Sequence, residues 1–172
     1  MVKFLFFDYR EIETIQGFRR VPQRPEKCPA HPLFTACEPW ECGNMQLYGS
    51  VVKAPGRPFQ LWYSVIHPPF TIYLAYAESD DGLAWRKPLF DIWPYQGQKT
   101  NVVFSAEPHG PAIIYDEVDP REDWRYKMVC GAAPSQAICA YRSADGVHWL
   151  PVKRFPIIPT NPDCPMALLR AA

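Results

Sequence analysis

Apolar and polar positions alternate along this chain in short runs, and almost nowhere do they recur at the three- and four-residue spacing of an amphipathic helix. Residues 48–53, 59–65 (FQLWYSV) and 72–78 (IYLAYAE) predict three strands. Residues 111–116 (PAIIYD), 125–131 (RYKMVCG) and 137–142 (AICAYR) predict three more in the same order. A weaker fourth strand is expected after Trp85 and again after Trp149. Prolines break most windows before the dozen residues a stable helix needs, leaving only residues 8–18 for a helical turn.

The strands are set in register by a repeat. Ser79, Asp81, Gly82 and Trp85 return 64 positions later as Ser143, Asp145, Gly146 and Trp149, the pattern S-x-D-G-x-x-W in both places. The Asp-Gly pair predicts a tight turn, because both residue types tolerate positive φ. The serine and aspartate are expected to bond the turn backbone, and the tryptophans to pack between sheets. A several-stranded unit that repeats at this interval is the signature of a propeller blade. The fold expected is therefore all-β: a partial β-propeller of about two four-stranded antiparallel blades. Residues 1–44 form a lead-in, 45–107 the first blade, 108–158 the second and 159–172 a truncated exit.

Composition agrees with one packed domain of 172 residues, 48% of them apolar. Proline is abundant (20) and glycine is not (9), so the prolines punctuate short elements and do not mark a low-complexity tract. Basic and acidic residues balance at 18 each without a charged run, which argues against nucleic acid and anionic membranes as partners. The apolar run Phe4 to Phe7 is too short for a signal-peptide core or a membrane span, and a cytoplasmic location is expected. The six cysteines include no C-x-x-C pair and are expected as reduced thiols, with no metal site and no cofactor.

The S-x-D-G-x-x-W turns, each following a strand of the A-Y-A-E-S type, resemble the five-bladed propellers of glycoside hydrolase families 32, 43 and 68. Trp40-Glu41, Leu61-Trp62-Tyr63-Ser64, Lys99-Thr100-Asn101-Val102-Val103 and Asp123-Trp124-Arg125-Tyr126-Lys127-Met128 add to the likeness, which spans most of the chain and points to an uncharacterised bacterial group related to family 32. The turns also resemble the sialidase Asp-box, S-x-D-x-G-x-x-W, but lack one residue between Asp and Gly in both copies. Five blades of this length need about 320 residues, so the resemblance implies the N-terminal part of such a propeller, with open blade faces available for self-association.

The resemblance further implies hydrolysis or binding of oligosaccharides, with two carboxylates on inner strands of different blades flanking the scissile bond. The family 32 first-blade motif W-M-N-D-P-N-G carries its nucleophile on the Asp. Trp40-Glu41-Cys42-Gly43-Asn44 stands in the comparable place, which makes Glu41 the catalytic candidate and puts Trp40 and Asn44 against substrate. The match departs at the Asp, the proline and the spacing, so a structural Glu41 that accepts backbone hydrogen bonds is the other reading. Asn101 and His109 complete the candidate substrate-binding set; His109 is otherwise an exposed loop residue ahead of a strand. Asp119-Pro120-Arg121 is expected to be a loop turn, and Trp40, Tyr48, Trp62 and Tyr63 either stack on sugar faces or fill the core. No counterpart of the general acid is found, which favours as alternatives a non-catalytic carbohydrate- or protein-binding module, or a truncated reading frame without a function of its own.

Overall fold

The computed structural model describes residues 13–17, 19, 21–132, 137–152, 156–159 and 168. The chain divides into two compact units, Met1–His31 and Pro32–Ala172. In the first, the described residues form no strand or helix, and the His31 N–H closes a turn on the Cys28 carbonyl at 3.1 Å. The window considered for a helical turn lies largely outside the described residues.

The second unit is all-β. Its strands are β1 (Met45–Lys53), β2 (Phe59–His67), β3 (Thr71–Ser79), β4 (Phe90–Tyr95), β5 (Gln98–Thr100), β6 (Val102–Phe104), β7 (Pro108–Tyr115), β8 (Tyr126–Ala132), β9 (Ala137–Ser143) and β10 (Leu150–Pro151). Two short 3-10 turns, Pro39–Glu41 and Glu122–Trp124, are the helical elements among the described residues. The strands form two antiparallel four-stranded sheets, ordered β1-β2-β3-β6 and β10-β9-β8-β7, and a separate β4-β5 hairpin; none of them closes on itself. The six strands expected from alternation are all present, most of them longer than the alternation alone predicts.

The repeat is visible in the hydrogen bonding, with the turn serines 64 positions apart and the second-strand residues that face them 67 apart. Phe59 pairs with Ser79 as Tyr126 pairs with Ser143, and each first strand carries an irregularity at the same level. Each turn is held by the same bonds: the serine Oγ accepts from the glycine N–H, at 2.8 Å from Gly82 and 2.9 Å from Gly146. The aspartate Oδ1 accepts two N–H groups at 2.8 Å, from Leu83 and Ala84 in the first copy and from Val147 and His148 in the second. Only the glycine of each Asp-Gly pair has positive φ, 77° and 81°. The loop is thus longer than a two-residue hairpin, and the strands resume pairing at Glu78 with Arg86 and at Arg142 with Leu150. The side-chain acceptors substitute for the backbone ladder across the gap.

The fourth strand differs from expectation in the first sheet. After Arg86 the chain reaches Pro88, which has no N–H to continue a ladder. The outer edge of β3 is completed instead by β6, with Leu74 opposite Phe104. The β4-β5 hairpin is inserted between these two half-edges. In the second sheet the matching halves are Leu150–Pro151 and an isolated bridge from Ile138 to Ile158.

Both faces of β2 are buried, which is why six of its successive residues, Gln60 to Val65, are inaccessible and do not alternate. One face, with Trp62, Leu74 and Tyr76, packs with Ile113, Tyr126, Met128, Cys130, Cys139, Tyr141 and Val147 of the second sheet and its turn. The other, with Leu61, Tyr63, Val65, Ala75 and Ala77, packs on Trp40 and Val102. Trp85 and Trp149 are half-buried at the edges of these two clusters. Trp62 joins the sheets: its ring lies among Tyr76, Tyr126 and Trp149 at centroid distances of 5.3, 5.9 and 6.4 Å, and its Nε1–H donates to the Gly146 carbonyl at 2.7 Å. The first strands of the two sheets also meet, through a 2.8 Å bond from the Ile113 N–H to the Ser50 hydroxyl.

The two equivalent glycines should respond differently to substitution. A Cβ on Gly82 meets only the Phe59 ring, at 3.9 Å, whereas one on Gly146 falls 2.6 Å from the Trp62 ring. Gly82→Ala should cost about 1 kcal/mol through its φ, and Gly146→Ala about 3 kcal/mol because overpacking is added; urea unfolding measures both. Burial by itself would raise the Asp145 carboxyl, but hydrogen bonds from His148, Val147 and Ser143 outweigh it and hold the group at about 2. Its charge therefore stabilises the fold above the unfolded value of roughly 3.9, and that contribution is lost as pH falls through about 2. Asp145→Asn should cost about 1 kcal/mol at pH 7, allowing for the screening of a carboxylate 44% exposed, and the deficit should shrink steadily in unfolding curves below pH 4.

Candidate functional site

The segment 34–44 lies on the outer face of the first sheet. Pro39 opens a 3-10 turn, a position where its missing N–H costs nothing, and Cys42 ends the turn at φ 51°, ψ 23°. The turn drives Trp40 and Glu41 inward, and both are buried.

Glu41 is fully inaccessible, and its carboxylate is surrounded by donors. Oε2 accepts the backbone N–H groups of Cys37 at 2.8 Å and Glu38 at 2.9 Å. Oε1 accepts the Tyr63 hydroxyl at 2.6 Å, and Lys87 Nζ reaches both oxygens at 2.7 and 2.8 Å. Lys87 also donates to the Thr35 carbonyl at 3.1 Å and lies 4.7 Å from the Phe34 ring centroid. Burial acts to raise the Glu41 carboxyl, but the bonds from Lys87, Tyr63, Glu38 and Cys37 together hold it below its ordinary value. Burial, and then the bond to Glu41, push the Tyr63 hydroxyl far up, so that it remains a donor.

The network continues through Asn101. Its Nδ2 donates to the Tyr63 oxygen and to the Tyr76 carbonyl, both at 2.7 Å, while its Oδ1 accepts the Trp40 indole N–H at 2.8 Å. Every polar atom of the Asn101 side chain is thereby satisfied in a site closed to solvent. Five contacts take up the lone pairs of the Glu41 carboxylate, which leaves none for a proton in transit or a sugar carbon. Chemically this is a buried ion pair that ties the lead-in, β2 and the end of the β3-to-β4 connection together.

Beside the network is a cavity of about 260 Å³, lined by Cys42, Asn44, Gln46, Ile66, His67, Pro68, Pro69 and Phe70. The amide side chains of Asn44 and Gln46 are exposed and make no hydrogen bond within the described structure, and Phe70 is 81% exposed. His67 forms the inner wall. Its ring is held edge-on by Tyr73, Trp93 and Tyr95 at 5.3, 5.9 and 5.7 Å, two of them from the inserted β4-β5 hairpin. Its Nε2 lies 2.5 Å from the Trp40 carbonyl, a contact that requires the hydrogen on Nε2. A second cavity, of about 390 Å³, runs along the β1 and β7 ends and includes Asp116. The Asp116 carboxylate is bonded to Lys127 at 2.6 Å.

The structure thus brings Trp40, Glu41 and Asn101 into one buried network, sets Asn44 in the neighbouring cavity, and leaves His109 apart from both. His109 pairs with Gly131 on β8, and its ring meets Tyr48 of β1 at 6.3 Å. Asp119 accepts Arg121 at 3.0 Å and Lys127 at 2.9 Å, bonds that hold its carboxyl well below the usual range; the Asp-Pro-Arg segment is a loop turn, as expected. Lys87, Gln46, His67 and Phe70 did not emerge from the sequence. Lys87 is 46 positions from Glu41 and belongs to no motif, and nothing local distinguishes His67 from any other strand-end histidine. Among the described residues no group of three His, Cys, Asp or Glu side chains is placed to hold a metal, and no helix is long and apolar enough to cross a membrane.

Removing one partner of the ion pair strands the other without solvent. Lys87→Met and Glu41→Gln should each cost about 3 kcal/mol, while the double variant should cost at least 1 kcal/mol less than the sum, as read from a double-mutant cycle of urea unfolding. Comparison with family models, with curated proteins and with solved structures finds no match for this chain.

Proposed function

We propose that the two sheets are adjacent blades of a five-bladed β-propeller of the glycoside hydrolase family 32, 43 and 68 kind, and that this chain binds oligosaccharide without hydrolysing it. Support for blades comes from the repeat, whose 64-residue offset recurs in turn bonding and outer-edge pairing and whose second and third strands pair in matching register, and from the first strands of the two sheets lying side by side. The single observation that carries the non-catalytic reading is the state of Glu41: buried, ionised and bonded to four donors through five contacts, it is a structural carboxylate. A glycosidase carboxylate has to face its substrate and exchange protons or form a bond with it.

Binding is assigned to the cavity of Asn44, Gln46, His67 and Phe70. Free amides bond sugar hydroxyls as donors and acceptors, and an exposed phenyl face covers the apolar C–H face of a ring. A pocket of about 260 Å³ suits a single sugar unit of a longer chain.

Titration with a panel of furanosidic and pyranosidic oligosaccharides, followed by NMR shift perturbation and by product analysis, tests this. The expected result is saturable binding, weakened about tenfold or more by Asn44→Ala and by Phe70→Ala, with no product released. Turnover by the wild type that Glu41→Gln abolishes, at a temperature where that variant is folded, would show an enzyme instead.

A further inference from the structure

Two buried thiols of the second sheet lie outside the carbohydrate site. Cys130 of β8 and Cys139 of β9 stand directly opposite each other in the antiparallel pairing, and opposed side chains project to the same face of a sheet. That face is the one packed on the first sheet, and both residues are wholly inaccessible there as free thiols. Ala140 turns its carbonyl outward to the Val152 N–H at 3.0 Å, so the peptide groups of Cys139 turn the other way, toward β8. The two cysteines are therefore a hydrogen-bonded pair, whose Cα atoms lie about 5.5 Å apart. A disulfide spans Cα separations of about 4.4–6.8 Å, so the backbone already meets its requirement.

The other described thiols are placed differently. Cys28, Cys37 and Cys42 are exposed and lie outside the strands. The Cys37 sulfur is 3.3 Å from Lys87 and the Cys42 sulfur 3.4 Å from His67, so neither has a thiol as the neighbour it contacts. In the first sheet the matching pair is Tyr63 and Ala75, and the repeat does not itself call for cysteine at these positions. Burial, with Cys139 beside it, pushes the Cys130 thiol up to about 12, and burial raises Cys139 as well. Both stay protonated once the sheets have closed, and a protonated thiol does not attack a disulfide. A bond between them has to form before the interface seals.

We infer that Cys130 and Cys139 are a disulfide-forming site, closed by a small-molecule disulfide as β8 and β9 pair during folding and enclosed by the first sheet afterwards. One cysteine thiolate attacks a sulfur of the small disulfide, giving a mixed disulfide on the chain and one departing small thiolate. The opposed cysteine then attacks the chain's own sulfur in that mixed disulfide, which forms the cross-strand S–S bond and expels the second small thiolate. The protons of the two cysteines pass to the two departing thiolates. The chain thus loses two electrons and two hydrogens, and the small disulfide gains both as two thiols. The bond joins the two central strands of the second sheet, on the face that packs against Trp62, Leu74 and Tyr76.

The test reduces and unfolds the full chain in urea and dilutes it into mixtures of reduced and oxidised glutathione. Remaining thiols are then blocked by alkylation, and linked peptides are mapped by mass spectrometry. Closeness in sequence alone favours Cys37 with Cys42, five positions apart, over Cys130 with Cys139, nine apart. In native buffer the Cys130–Cys139 bond is expected to persist at ratios of reduced to oxidised glutathione about tenfold or more above those that break a Cys37–Cys42 bond. The same series in urea, where strand pairing is lost, should remove that advantage. Absence of the Cys130–Cys139 link or of its advantage in native buffer, or an advantage that survives unchanged in urea, would overturn the inference. Neither readout depends on carbohydrate binding.

Discussion

The indole of Trp62 is the contact on which the arrangement of the sheets depends. It belongs to the first sheet, but its N–H is satisfied by a carbonyl of the second repeat's turn, and its ring fills the space that a side chain on Gly146 would need. A buried indole without an acceptor is costly, so the turn has to present its carbonyl there. The serine and aspartate bonds that shape the turn therefore also set the distance between the sheets. Around this point Gln60 accepts from Tyr126 of the second sheet at 2.6 Å and donates to Tyr76 of its own sheet at 2.8 Å, whereas the Trp149 indole nitrogen is buried without a partner among the described residues. Aromatic packing supplies the area, and the hydrogen bonds supply the geometry.

The outer face of the first sheet is organised by a charge. Glu41 and Lys87 are withdrawn from water, and their attraction offsets that desolvation only because Tyr63, two backbone N–H groups and the Thr35 carbonyl complete their shells. Hence a segment without strands, 34–44, is held on the sheet by side-chain bonds in place of ladder pairing. The anchoring of Trp40 by Asn101 places its carbonyl against His67, which links the buried network to the open cavity. The inserted hairpin closes the other side of the imidazole with Trp93 and Tyr95.

Much of this was legible along the chain and some was not. Short apolar runs bounded by turn residues located the long strands β2, β3, β8 and β9, because a strand buried on both faces is apolar over most of its length. The repeated Ser, Asp and Gly disclosed their turns, since those side chains bond within three residues of themselves. Glu41 was legible as a residue to examine, and its two readings were separated only by Lys87 and Tyr63, which approach from distant positions. The fourth strand of the first sheet was misplaced for a similar reason: Pro88 ends one pairing, and which later segment takes the vacant edge is settled by packing on β3.

The amino-acid sequence by itself determined the class of secondary structure, the register of the two units and the bonding of their turns, all of which act over short stretches of chain. Tertiary structure decided which carboxylate is buried, which nitrogen of His67 carries its hydrogen and which amides remain free beside Cys42. These depend on residues tens of positions apart being brought within hydrogen-bond range, and pair distances of that kind are set by the packing of whole sheets.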